Sequence, residues 1–312
     1  MLPIIPKISQ LAPGIIRILG MNPSAMTLQG TNSYIIGMPP SKSRLLIDTS
    51  NHHQEGYIEN IRQYISENIE ALPIIKTIII THWHPDHIGA VPDVLNLIKS
   101  YKWPSPKVYK FPCQVQDQLK LDLLESDQII NLSDYGMGTM QVLFTPGHTE
   151  DHICLLLQPE NILFSGDLIL GNGSTTFENL TQYMNSLRQL ELIGNSLSMI
   201  LPAHGVEIKN PIAKINEYLK HRLERIKQVY NALTVNQWQS EMDVVVKVYD
   251  KEILANPALF MGALKNQCQA LEYLLHHQNV ESRDCTEDEK KKYEDSFSNK
   301  MWKLSDQKLA NL

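Results

Sequence analysis

The chain has 312 residues and a mass of 35.6 kDa, with 28 Lys+Arg against 34 Asp+Glu, a formal charge of −6 and a pI near 6.0. A hydrophobic fraction of 43% and a charged fraction of 20% exclude chain-wide disorder, because there is ample apolar surface to build a core. The acidic balance excludes a generally cationic nucleic-acid binder, whose phosphate contacts need a basic footprint, and leaves room only for a local basic patch. Cys113, Cys154, Cys268 and Cys285 are scattered with no C-x-x-C pair, which points to a reducing compartment. No apolar run approaches the length of a membrane span, and the start of the chain does not read as a secretory signal. Its first acid is Asp48, a composition equally suited to mitochondrial import and to a strand-rich start with few charges.

In chain order, strand-sized apolar runs are expected at 15–19, 34–36, 45–47, 78–80, 141–144, 153–157, 162–164 and 199–201. Helical patterns fall between them, at about 53–70, 89–99 and 180–193. From Pro211 the character changes to long periodic stretches at 212–233, 241–254 and 257–278, with Pro257 placed at a helix start. The expected organisation is a domain over 1–210, a helical module over 211–281 and a charged, solvated tail over 282–312.

Several of the strand-sized runs end directly in a polar or metal-capable residue. Leu45-Leu46-Ile47 precedes Asp48, Ile78-Ile79-Ile80 precedes Thr81-His82, and Phe144-Thr145-Pro146-Gly147 precedes His148. Phe164-Ser165-Gly166 precedes Asp167, and Leu201-Pro202-Ala203 precedes His204. Buried strands ending this way aim their loops at one edge, the usual setting for functional residues. The densest signal is Thr81-His82-Trp83-His84-Pro85-Asp86-His87, with four metal-capable side chains in six residues. Imidazole nitrogen and carboxylate oxygen suit zinc and its neighbours. His82 and His84 project alike from an extended segment, while Asp86 and His87 point to a second position once the chain turns. Singly, His148 and His204 read as structural or exposed histidines. Together with Asp167 they bring the set to three ligands for each of two ions plus one bridge.

The combination H-x-H-x-D-H, G-H-T, S-G-D and a late H-G resembles the metallo-β-lactamase superfamily. The resemblance implies an α/β fold, a metallo-β-lactamase αβ/βα sandwich, with a small, mainly helical, winged-helix-like C-terminal module. It implies that His82, His84 and His148 hold one metal and Asp86, His87 and His204 the other. Asp167 bridges them, Asp48 orients a ligand histidine, and Asp86 and Asp167 serve catalysis. Ala90 and Ala203 stand where many members have glycine, which changes no ligand. The segments 22–34 and 164–171, with Met184-Asn185-Ser186-Leu187, are similar to the animal β-lactamase-like protein 2 family. That closer resemblance implies a zinc-dependent endoribonuclease cleaving single-stranded RNA in the mitochondrial matrix, with the cytoplasm as the alternative location. Two Zn2+ are the implied cofactors, with Mn2+ or Fe2+ as alternatives. No membrane association and no obligate protein partner is expected.

A pair of metals lowers the pKa of a bridging water toward 7, and the resulting hydroxide attacks phosphorus. No Lys or Arg lies inside the ligand motifs, so the metals supply most of the positive charge facing a phosphate. Substrate contacts are expected from Asn32, Ser33, Tyr34, Ser174 and Thr175, with Trp83, Tyr34 and Tyr183 as stacking candidates. Lys220 and Arg222 stand in a basic run from Lys209 to Lys227, which reads either as a phosphate-guiding face or as a solvated helix with i,i+4 pairs. His52 and His53 read as ordinary loop histidines, and His276 and His277 as a helix C-terminus. The same metal centre also serves a hydroxyacylglutathione-type thioester hydrolase, the main alternative. A β-lactam hydrolase and a catalytically idle RNA-binding scaffold fit less well.

Overall fold

A computed structural model describes residues 2–68, 70, 72–113, 119–292 and 300–305. The chain divides into two compact units, Met1–Asn216 and Glu217–Leu312. In the first unit one sheet takes β1 (Ile8–Ala12), β2 (Ile15–Leu19), β3 (Asn32–Ile36), β4 (Ser43–Ile47), β5 (Ile74–Ile80), β6 (Lys107–Lys110) and β7 (Asp122–Leu123) in that spatial order. It is antiparallel from β1 to β4 and parallel from β4 to β7. The second sheet holds β8 (Ile129–Asn131), β9 (Thr139–Phe144), β10 (Ile153–Gln158), β11 (Ile162–Gly166) and β12 (Met199–Pro202), in the order β12-β11-β10-β9-β8.

Side-chain alternation along these strands builds two apolar layers. Leu45, Ile47 and Ile79 face Val142, Ile153, Leu155, Phe164 and Leu201 of the second sheet. Leu46, Ile78 and Ile80 point the other way, onto α1 (Glu55–Glu67) and the segment holding α2 (Pro85–Ile88) and α3 (Val91–Ser100). Strands buried on both faces read as unbroken apolar runs, which is why 45–47 and 78–80 were legible. Each fully buried Ile or Leu contributes about 1.5–3 kcal/mol. The first helix buries Tyr57, Asn60, Ile61, Tyr64 and Ile65 along one stripe. In the same unit α4 (Leu180–Ile193) starts at Asn179, whose side chain caps the Gln182 amide. The fold is the expected α/β sandwich. Sequence reading missed β1, β6, β7 and β8, which are short or carry polar and charged residues: β6 is flanked by Lys107 and Lys110.

The unit boundary falls inside α5 (Pro211–Ala232), six residues beyond the expected 210/211 division. The second unit contains β13 (Gln239–Ser240), α6 (Glu241–Val248), α7 (Lys251–Ala255), α8 (Pro257–His276), β14 (Val280–Asp284), α9 (Glu287–Lys292) and β15 (Lys300–Leu304). Its strands form a small sheet in the order β13-β15-β14. The expected 241–254 helix is broken at Tyr249 and Asp250, both extended in backbone. The C-terminal end is not simply a solvated tail. β14 runs across residue 281 and pairs with β15, and Trp302 is buried with its Nε1 donating to Glu241 Oε1 at 3.3 Å. Residues 293–299 and 306–312 of that stretch lie outside the described residues. No described helix is long and apolar enough to cross a membrane.

Candidate metal centre

The ends of β4, β5, β9, β11 and β12 converge on one edge of the first unit. Beyond β5 the chain bends at Thr81, His82 and Trp83, where an extended segment was expected; His84 has an extended ψ of 143°, and Pro85 then opens α2. Pro suits this first helical position because its missing N–H has no partner there in any case. His82 and His84 therefore leave the bend between β5 and α2, and Asp86 and His87 leave the first helical turn. His84 Nδ1 lies 3.0 Å from His82 Nε2 and 3.1 Å from His148 Nε2. Asp167 Oδ2 lies 3.5 Å from His148 Nε2 and 4.0 Å from His82 Nε2. In the neighbouring group, Asp86 Oδ2 is 3.3 Å from His87 Nε2 and 3.2 Å from His204 Nε2. Asp167 reaches this group too, with Oδ1 3.2 Å from His204 Nε2 and Oδ2 3.6 Å from His87 Nε2. Asp167 thus stands between the two triads.

The donor set fits divalent metal ions. His87 Nε2 and Asp167 Oδ1 are buried without a hydrogen-bond partner, although buried polar atoms are nearly always satisfied. Imidazole nitrogens and carboxylate oxygens gathered this closely match the ligands of zinc and neighbouring divalent ions. His82, His84, His148 and Asp167 form one group able to hold an ion, and Asp86, His87 and His204 another.

Partners behind the donors set their orientation. Asp48 sits at a left-handed φ of 55°, a conformation that Asp tolerates better than most residues. Its Oδ2 lies 2.9 Å from His87 Nδ1, and it accepts from the amide and hydroxyl of Thr81, each at 2.8 Å. A carboxylate on Nδ1 leaves the Nε2 lone pair facing the centre. His148 Nδ1 is 2.8 Å from the Thr176 carbonyl, which fixes that ring likewise. His152, not singled out in the sequence, is fully buried and accepts the Asp167 amide on Nε2 at 3.1 Å. Its Nδ1 lies 3.0 Å from Thr145 Oγ1. Gly166 makes this approach possible: a Cβ there would lie 2.6 Å from His152 Nε2, and its φ is +49°. On the far side of the same loop, Lys110 Nζ pairs with buried Asp151 Oδ2 at 2.7 Å.

Burial, helped by His87 and His148, pushes His82 well below the ordinary imidazole range, and burial with His148 lowers His84 to about 4. Both rings are therefore neutral, the form that ligates. The other triad concentrates charge. Burial opposes ionisation of Asp86 and Asp167, but His87 and His204 outweigh it and hold both carboxyls well below their usual values. Reciprocally, burial lowers His204 and His87, yet Asp167 raises His204 to about 9, and Asp86, Asp48 and Asp167 raise His87 well above its ordinary value.

The centre opens into a cleft of about 460 Å³ lined by Ala25, Met26, Leu28, Leu170, Asn172, Gly173, Ser174, Thr175 and Thr176 beside His84, Asp86, His148, Asp167 and His204. Ser174 and Thr175, expected to contact substrate, line this cleft. Thr175 is nearly buried, with Oγ1 3.2 Å from His148 Nδ1. Asn32, Ser33 and Tyr34 do not line the cleft. All three are buried in β3, where the Asn32 amide nitrogen and the Ser33 and Tyr34 hydroxyls donate to backbone carbonyls and Ser33 Oγ also accepts from Tyr57 OH. Asn32 Nδ2 donates to the Pro202 and Gly205 carbonyls, Tyr34 OH to the Pro202 carbonyl, and Ser33 Oγ to the Ile18 carbonyl. Asn32 and Tyr34 thereby brace the segment carrying His204. Tyr183 is likewise buried, its hydroxyl donating to the Leu168 carbonyl, while half-buried Trp83 packs edge-on against His84 at 4.7 Å. In the second unit Lys220 is exposed and 3.9 Å from Glu224, the i,i+4 pair of a solvated helix face, whereas Arg222 is 6% exposed and so presents no free guanidinium to a backbone phosphate. His277 stacks on Tyr273, a structural contact.

The profile of the metallo-beta-lactamase superfamily matches residues 26–204. The chain is 37% identical over 256 residues to a beta-lactamase-like protein 2 homolog of Drosophila melanogaster, covering 79% of this chain and 83% of that one. It is 35% identical over 248 residues to the Caenorhabditis elegans homolog of the same name, covering 78% of each chain. Among solved structures, a beta-lactamase domain protein from Burkholderia ambifaria superposes with a TM-score of 0.73 at 17% identity, covering 96% of this chain and 95% of that one. With both triads and the shared Asp167 carried on this fold, the chain belongs to the metallo-β-lactamase superfamily, whose members are generally metal-dependent hydrolases.

Proposed function

We propose that the chain is a metal-dependent endoribonuclease that cleaves phosphodiester bonds of single-stranded RNA, with zinc as its metal and the mitochondrial matrix as its location. The reading rests on the match to relatives named beta-lactamase-like protein 2 homolog, extending over more than three quarters of the chain. His82, His84, His148 and Asp167 would hold one ion, and Asp86, His87 and His204 a second beside Asp167. Ions held there would supply Lewis acidity and a water usable as a nucleophile near neutral pH. The protein's own groups do the rest. Asp48 and the Thr176 carbonyl keep the Nε2 atoms of His87 and His148 facing inward. Asp86, steadied by a 3.3 Å bond from Thr31 Oγ1, and Asp167 present anionic oxygens that would orient the attacking water. Asn172, Ser174 and Thr176 offer neutral hydrogen-bonding groups to the sugar-phosphate chain.

One observation favours a second reading. Among the described residues lining the cleft there is no Lys or Arg, and Met26, Leu28 and Leu170 give it an apolar wall. Such a wall also suits the acyl group and thioester sulfur of a hydroxyacylglutathione. The deciding experiment gives zinc-loaded protein an end-labelled single-stranded RNA and, separately, S-lactoylglutathione, with Asp86→Ala as the control for both. Discrete RNA products from the wild type alone support the nuclease. Thioester turnover without RNA cleavage overturns it in favour of the second reading.

A further inference from the structure

We propose a separate metal-binding site on the surface of the first unit, formed by His52, His53 and Asp93, that takes one divalent transition-metal ion such as zinc. The two histidines follow one another in the loop between β4 and α1 and look unremarkable in sequence. The fold brings them a carboxylate from 41 positions away, in the first turn of α3. His52 Nδ1 lies 2.8 Å from Asp93 Oδ2, and His53 Nδ1 lies 3.7 Å from Asp93 Oδ1. The donor atoms of all three residues fall within 4.8 Å of one another. The imidazoles stack with centroids 3.6 Å apart and planes 28° from parallel, so their Nδ1 edges address the carboxylate together.

Two nitrogens and one oxygen form a mixed donor set typical of zinc with three protein ligands, leaving a position for water. The arrangement is organised in advance. The His53 amide donates to Asp93 Oδ2 at 2.9 Å, and His53 is held at a left-handed φ of 59°. The preceding residues are fastened to the other side of the same helical segment: the Thr49 amide donates to the His87 carbonyl at 2.8 Å and the Ala90 amide to the Ser50 carbonyl at 2.7 Å. Asp93 is largely enclosed, with 17% of its side chain exposed, whereas His52 and His53 are open at 50% and 79%. An ion can thus enter from solvent onto a fixed carboxylate. A cavity of about 580 Å³ opens alongside, lined in part by His53, Asp93, Glu55 and Glu59. It has room for coordinated water; Arg62, also in its lining, pairs with Glu59 at 3.3 Å and leaves Asp93 and Glu55 as the acids beside the histidines. Uptake displaces the proton shared between His52 Nδ1 and Asp93. It also ties down the loop whose first residue, Asp48, holds His87.

The test measures zinc bound per chain after equilibrium dialysis of the full-length protein against buffered micromolar free zinc. The wild type is compared with a His52→Ala/His53→Ala double variant and with Asp93→Asn. Because the readout is a difference between variants, it is independent of the reaction the Asp167 centre performs. The two histidines are exposed, so the double variant keeps the fold and the metal of that centre. The wild type is expected to bind one ion more than the double variant. Asp93→Asn is expected to weaken that ion about tenfold or more, a loss that even removal of a ligand's hydrogen-bond partner inflicts. Equal uptake by wild type and double variant overturns the site. Wild-type affinity in Asp93→Asn also overturns it, since the histidines would then bind without the carboxylate.

Discussion

Replacing His152 by Ala tests how the bridging carboxylate is positioned. In the native protein its ring sits between two buried groups, accepting the Asp167 amide at 3.1 Å and facing Thr145 Oγ1 at 3.0 Å. Removing it leaves that amide without a partner, which costs about 1–3 kcal/mol, and leaves a void that adds about 2 kcal/mol. The metal-free protein should lose about 3–5 kcal/mol of unfolding free energy, read by urea denaturation. The same change frees Asp167 to drift from both triads, so zinc affinity, read by competition with a chromophoric chelator, should fall about 10–100-fold. His152→Gln, whose side-chain carbonyl can still accept the amide, should recover part of both losses. A variant that is destabilised yet binds zinc within about twofold of wild type, well short of that loss, would refute the positioning role and reduce His152 to packing.

Asp48→Asn removes the charge on His87 Nδ1 but keeps the side-chain shape, so zinc titration should show one ion weakened about 10–100-fold, the one held by Asp86, His87 and His204; equal weakening of both ions argues against the assignment. Stripping metal with a chelator should lower Tm by about 5–10 °C, since ligand at a hundred times its Kd stabilises by about 2.7 kcal/mol and each kcal/mol is worth about 2–4 °C in a unit of this size. An unchanged Tm would mean that ions do not bind at these residues. Cys154 is fully buried, and burial pushes its thiol up to about 12. Iodoacetamide at pH 8 should therefore modify half-buried Cys113 in the native protein and leave Cys154 untouched until unfolding, as peptide mass spectrometry would show.

The strand ends that carry chemistry were readable because strands buried on both faces, such as β4, the end of β5 and β11, announce themselves as apolar runs, and the residue after each run is the one presented at the sheet edge. The structure brings together His82, His84, Asp86, His87, His148, Asp167 and His204 in this way. What stayed hidden depends on distant partners. Asn32 and Tyr34 look like polar residues beside a site, but whether such a side chain faces a cleft or a backbone carbonyl is decided by Pro202 and Gly205, far along the chain. His152 was visible in the run after Gly147-His148, yet only the turn at Gly166 places it under the Asp167 amide. Lys110 was unreadable as a strand residue because its charge is cancelled by Asp151, in the loop between β9 and β10. The histidines at 52 and 53 gained meaning only when the fold delivered Asp93.

The donors of the Asp167 centre come from both layers of the sandwich: His82, His84, Asp86 and His87 follow β5 of one sheet, whereas His148, Asp167 and His204 follow β9, β11 and β12 of the other. An ion shared among them is a reversible cross-link between the two sheets, closing long loops much as a disulfide would in an oxidising compartment. Resistance to proteolysis is then set partly by how much metal the surroundings supply, and a starved cell would clear the protein faster than a replete one.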